Sequence, residues 1–127
     1  MKIINKLLIL GFHSANLIFI IFYLYPGSIF GCYLYSDCSI QPQITRNFFI
    51  SSNHFYVFII LSTLGLFAYR NKEKINFIIV YLFLLSFILE LLHLIIPNRG
   101  FEWSDLFGNL VGVIFVIIIY KIKDKYA

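Results

Sequence analysis

Four long apolar stretches, each closed by a proline or a basic residue, organise this sequence. They run from Leu7 to Tyr25, Asn53 to Tyr69, Ile75 to Ile96 and Asp105 to Tyr120, and end at Pro26, Arg70, Pro97 and Lys121. None shows the period-two alternation of a barrel strand, so each predicts a helix. At about 1.5 Å rise per residue the third reaches about 33 Å, enough to cross a hydrocarbon core of about 30 Å. The second and fourth reach about 25 Å and need thinned lipid, little tilt or an extra turn. The expected architecture is an all-α, four-helix membrane bundle. It is a single domain over residues 1–127, with loops at 26–52 and 97–104.

Composition supports lipid as the solvent. Apolar residues make up 61% of the 127 positions and charged residues 13%, where a soluble domain carries about a quarter charged. A net charge of +4 invites a nucleic-acid reading, but the basic residues form no stripe. Lys2 and Lys6 precede the first stretch. Arg70, Lys72 and Lys74 join the second to the third within the short connection Arg70-Asn71-Lys72-Glu73-Lys74, and Lys121, Lys123 and Lys125 follow the fourth. With four crossings all three clusters share one side, leaving Arg46 and Arg99 on the other. The positive-inside rule then predicts both termini in the cytoplasm. The first stretch is too long for a signal peptide and no small-residue cleavage site follows it, so an uncleaved helix is expected.

Ionisable groups inside a membrane cost about 2.5–3.5 kcal/mol at mid-span and need partners or a purpose. Glu90 lies about 10 Å below Pro97, with His93 a turn above it. Asp105 opens the fourth stretch, placed to cap free N–H groups. Asn109 and Gly112 follow on the same face, Arg99 lies in the connecting loop, and His54 opens the second stretch from the same side. These residues read either as glue between helices or as a polar pocket opening to the outer leaflet; their number favours the pocket. Pro97 and Gly100 bracket Arg99 in a turn-prone loop, so its guanidinium is expected to pair with Glu90 or Asp105. A metal site built from Glu90-x-x-His93 with His54 and Asp105 is weighed and set aside, because such bundles use two carboxylate–histidine pairs. No metal or cofactor is expected. Gly11, His13, Ser14 and Asn16 of the first stretch are expected to bond with Ser62 and Thr63. Gly108-x-x-x-Gly112 permits close helix approach. Cys32 and Cys38 lie in the larger outer loop, where a disulfide is permitted and expected.

Glu90-x-x-His93, Pro97-x-Arg99 and Asp105-x-x-x-Asn109-x-x-Gly112 together resemble the signature of the VanZ-like family, small bacterial membrane proteins related to a teicoplanin-resistance protein. His93 stands where the family usually has Gln. A further family motif, D-K-x-x-H-F, is half present: His54 and Phe55 match, while Ile50 and Ser51 replace the acid and the lysine. The resemblance implies a multi-pass protein of the bacterial cytoplasmic membrane, acting in the cell envelope and influencing sensitivity to glycopeptides such as teicoplanin.

Three functions compete. A binding module would hold the head of a membrane lipid or lipid-linked cell-wall precursor, with Arg99 as the anion contact. An intramembrane enzyme would use Glu90 and His93 as acid and base and Arg99 to stabilise charge. A small transporter would need polar access from both leaflets, which the apolar inner halves of the last two stretches do not offer. No serine or cysteine nucleophile motif accompanies the pocket, so the binding module is expected first. Nucleic acid is not an expected partner.

Overall fold

The computed structural model describes residues 2–70 and 72–126. Asn71, expected in the tight connection between helices, lies outside the described residues, as does Ala127. Among the described residues the chain forms five helices and no strand: α1 (Lys2–Leu24), α2 (Ile29–Tyr35), α3 (Ser52–Ala68), α4 (Lys72–Leu92) and α5 (Trp103–Tyr126). Three of them, α1, α4 and α5, are long and apolar enough to cross a membrane; α3 is apolar but shorter, at 17 residues.

The distribution of side chains is inverted relative to a protein folded in water. Leu7, Leu10 and Leu17 on α1, Phe77 and Leu84 on α4, and Ile114 and Ile118 on α5 face outward. Ser62, Ser86, Glu90 and Asn109 are fully buried. Helices that are apolar on their outer faces and polar at their contacts suit a hydrocarbon solvent, where packing and interhelical hydrogen bonds replace the hydrophobic drive.

Helix α3 is the hub. It packs most extensively on α5 and also touches α1 and α4, with Phe12, Phe58, Leu61, Leu66, Leu82 and Val113 filling the core. Two glycines explain the α3–α5 approach. A Cβ on Gly108 would stand 2.7 Å from the Ser51 carbonyl oxygen, and one on Gly112 2.7 Å from that of Phe55. Only glycine lets the two backbones come this close. Elsewhere, His13 on the exposed side of α1 bonds the Tyr69 hydroxyl at 2.7 Å and the half-buried Asn16 amide donates to the Tyr81 hydroxyl. These tyrosines, and not the expected Ser62 and Thr63, are their partners.

The site end departs from the expected boundaries. The sequence predicts helix to Ile96, but α4 ends at Leu92. The N–H groups of His93, Leu94 and Ile95 donate to carbonyls three residues back, a tightening that the coming Pro97 enforces on its predecessors. A turn from Ile96 to Arg99 follows, closed by the Arg99 N–H on the Ile96 oxygen, with Asn98 at φ 59°. Proline second and a left-handed asparagine third is the type II pattern. Helix α5 starts at Trp103, two residues before Asp105, and runs past Tyr120.

The loop between α1 and α3 is partly helical. Ser28 caps α2 by accepting from the Gly31 N–H at 3.0 Å, and Cys32 and Cys38 are joined by a disulfide across the turn that follows. Asp37 in that turn accepts from the Ser39 hydroxyl and N–H, which hold its carboxyl below the ordinary value. Asn53 pins the rest of the loop over the bundle: its amide donates to the Pro42 oxygen at 2.7 Å and accepts from the Ile44 N–H at 2.9 Å.

Candidate functional site

The non-cytoplasmic ends predicted for the helices meet around Tyr23, near the end of α1. Its hydroxyl donates to Asn109 Oδ1 of α5, and His54 Nδ1 of α3 lies 2.8 Å from the tyrosine hydroxyl oxygen. Its ring stacks on His93 at 5.4 Å between centroids and lies 4.8 Å from that of His54. Its carbonyl oxygen is 3.0 Å from His93 Nε2. Asn109 completes its pairing by donating from Nδ2 to the Ser86 carbonyl of α4 at 3.4 Å. Helices α1, α3 and α5 and the segment after α4 thus meet at one tyrosine.

Two histidine–carboxylate pairs flank it. His54 Nε2 stands 3.4 Å from Asp105 Oδ2, and His93 Nδ1 stands 3.4 Å from Glu90 Oε2. Glu90 Oε1 accepts from the Glu102 N–H at 2.9 Å, which ties α4 to the start of α5. Asp105 sits in the first turn of α5, where its charge meets the positive end of the helix dipole. Glu102, and not Asp105, takes the cap position: its carbonyl accepts from the Asp105 and Leu106 N–H groups. The facing oxygens and nitrogens of His54, Glu90 and Asp105 all lie within 4.8 Å of one another.

Arg99 corrects the sequence expectation. Its guanidinium meets neither Glu90 nor Asp105. Nη1 donates to Gln41 Oε1 at 2.9 Å and Nη2 points at the Tyr23 carbonyl and His93 Nε2, at 3.4 and 3.3 Å. The physical reason is access: Glu90 is enclosed by His93 and the Glu102 backbone, whereas the turn after Pro97 carries Arg99 outward toward the loop.

A cavity of about 390 Å3 opens beside this network, between α1, α2, α3 and the loop. Phe19, Phe22, Phe30, Leu34, Val57 and Ile60 give it apolar walls, and Tyr23, Gln41, His54 and Arg99 a polar end. Of the residues singled out in the sequence, His54 and Arg99 line it. Glu90, His93, Asp105 and Asn109 stand behind it in the hydrogen-bonded network. Cys32 and Cys38 do not line it; their bond closes the turn after α2, whose Ile29, Phe30 and Leu34 do. Sequence reasoning missed Tyr23 and Gln41. Tyr23 follows a run of apolar residues with nothing to distinguish it from Tyr25, and Gln41 carries no motif.

Chemically, the arrangement offers a fixed cation and amide donors to an anionic group, and a string of exchangeable protons from Asp105 through His54 to Tyr23. A sequence model of the family described as VanZ/LLP1 matches residues 7–124. No curated protein and no solved structure matches the chain.

Proposed function

From the premise that this chain belongs to the VanZ/LLP1 family and is a membrane protein, we propose that it binds the head of an amphiphile in the outer leaflet, a membrane lipid or lipid-linked cell-wall precursor. The observation that carries this reading is the cavity. Its aromatic and aliphatic walls suit an acyl or prenyl chain, and Arg99 and Gln41 at its polar end suit an anionic head such as a phosphate.

The topology that goes with this function is four crossings with both ends cytoplasmic, in a bacterial inner membrane. The eight-to-two split of basic residues supports the orientation. That α3 packs against α1, α4 and α5 supports counting it as a crossing despite its length. An influence on glycopeptide (teicoplanin) sensitivity follows if the occupant is the cell-wall precursor. The enzyme alternative loses support because Glu90 and His93, its acid and base, do not line the cavity.

The test is native mass spectrometry of the protein released from nanodiscs containing phosphatidylglycerol or only phosphatidylcholine. Wild type is expected to retain the anionic lipid preferentially. Arg99→Ala should lose that preference, and Val57→Trp, which fills the cavity, should lose retention altogether. Equal retention of both lipids by wild type and Arg99→Ala would sink the proposal.

A further inference from the structure

Proton accounting around Tyr23 leaves a gap at the centre of the network. The Tyr23 hydroxyl has one hydrogen, and Asn109 Oδ1 takes it, because Nδ2 of that amide faces the Ser86 carbonyl. The tyrosine oxygen can then only accept from His54, so His54 carries its hydrogen on Nδ1. In a neutral imidazole this leaves a bare lone pair on Nε2, aimed at an Asp105 oxygen 3.4 Å away. A lone pair facing a carboxylate is repulsive unless a proton or a metal ion lies between them. Glu90 repeats the problem: its side chain is fully buried, and Oε2 is met only by His93 Nδ1 at 3.4 Å, too long for a good hydrogen bond. Arg99 does not reach either carboxylate.

We propose that His54, Glu90 and Asp105 form a binding site for a divalent transition-metal ion, with Zn2+ the ion the donors fit best. The spacing is that of metal ligands. Two donors about 2.1 Å from a tetrahedral ion stand about 3.4 Å apart; His54 Nε2 and Asp105 Oδ2 are 3.4 Å apart, too long for a good hydrogen bond. The three donor atoms already lie within 4.8 Å of one another, so small side-chain rotations close the triangle. Three helices supply one ligand each, on α3, α4 and α5.

The surrounding contacts are those that orient ligands. His54 donates its other N–H to Tyr23, which fixes Nε2 as the coordinating atom, and Glu90 Oε1 is held by the Glu102 N–H. One imidazole and two carboxylates leave a net charge of −2, which a dication neutralises where the proteinaceous cation, Arg99, does not reach. A fourth coordination position is left for water or an oxygen of a bound head group, since His54 also lines the cavity. That last step rests on the amphiphile reading, whereas metal binding in lipid-free detergent tests the ion site by itself. An ion held here would replace the sequence expectation that no metal is bound.

The test uses full-length protein in detergent, stripped with a chelator and dialysed against Zn2+. Inductively coupled plasma mass spectrometry should find one ion per chain. Glu90→Gln and Asp105→Asn should each weaken binding by about 100-fold, and Tyr23→Phe, which removes the hydroxyl shared by His54 and Asn109 but no ligand, by about 10-fold. Asp37→Asn, in the outer loop, should bind as wild type does. Circular dichroism checks that each variant is folded. Should the carboxylate variants misfold, Co2+ substituted into wild type gives an independent reading: intense visible ligand-field bands without thiolate charge transfer support the site. A wild-type chain that takes up no Zn2+ overturns the proposal and leaves shared protons as what joins each pair. A hydrated-ion Co2+ spectrum, or unchanged affinity in folded Glu90→Gln and Asp105→Asn, overturns it equally.

Discussion

Replacing Gly112 by alanine adds one methyl group, and the structure gives that methyl nowhere to go. Its Cβ would lie 2.7 Å from the Phe55 carbonyl oxygen, 3.0 Å from Phe58 Cβ and 3.3 Å from the Ile59 nitrogen. Two of these are backbone atoms of α3, so no rotamer change relieves the clash. Ordinary contact begins near 3.4 Å, so α5 must move off α3 by about 0.7 Å. A radial gap of that size forfeits about a quarter to a half of each dispersion contact along the interface. The α3–α5 interface is the most extensive in the bundle, and no hydrophobic drive compensates inside lipid. The expected loss is about 1–3 kcal/mol, the usual range for overpacking. Gly11→Ala is the matched control, because a Cβ there meets nothing within 4 Å; it should be neutral or slightly stabilising through helix propensity. Gly108→Ala should be as costly as Gly112→Ala and should also disturb the site, since its Cβ would press to 3.1 Å from that of His54. Sodium dodecyl sulfate titration in mixed micelles, followed by circular dichroism, measures the three variants. If Gly112→Ala unfolds at the same detergent fraction as Gly11→Ala, the close α3–α5 approach is not what holds the bundle.

Other outcomes follow from the same contacts. Asn109→Ala removes the acceptor of the Tyr23 hydroxyl and should cost about 1 kcal/mol in the same titration, in the range measured for interhelical hydrogen bonds in membranes. Thiol labelling of unreduced, unfolded protein should find no free cysteine, and Cys32→Ser with Cys38→Ser should lower stability by about 2 kcal/mol for so short a loop. Reporters placed after Tyr126 and between Arg70 and Lys74 should both report cytoplasm, with one at Gly100 reporting the outside; opposite sides for the first two would end the four-crossing reading.

Composition and periodicity were enough to show that this chain is helical and belongs in lipid, because both depend on local sums over each stretch and on no particular fold. The family signature between Glu90 and Gly112 was equally legible, since its spacings lie within two helices and one short turn. Helix ends were less so: Pro97 acts on residues before it, and the tightening from His93 to Ile95 belongs to the backbone rather than to any side chain. The site itself was decided by tertiary structure. Tyr23 meets His54 across 31 residues and Asn109 across 86, and no local pattern distinguishes it from other tyrosines in apolar surroundings. The direction of Arg99 likewise depends on Gln41, 58 residues away. Charges in a sequence say that partners must exist; only the packing of α1, α3, α4 and α5 decides which partner lies within reach, because the close contacts of α5 with α3 at Gly108 and Gly112 set the distances among all of them.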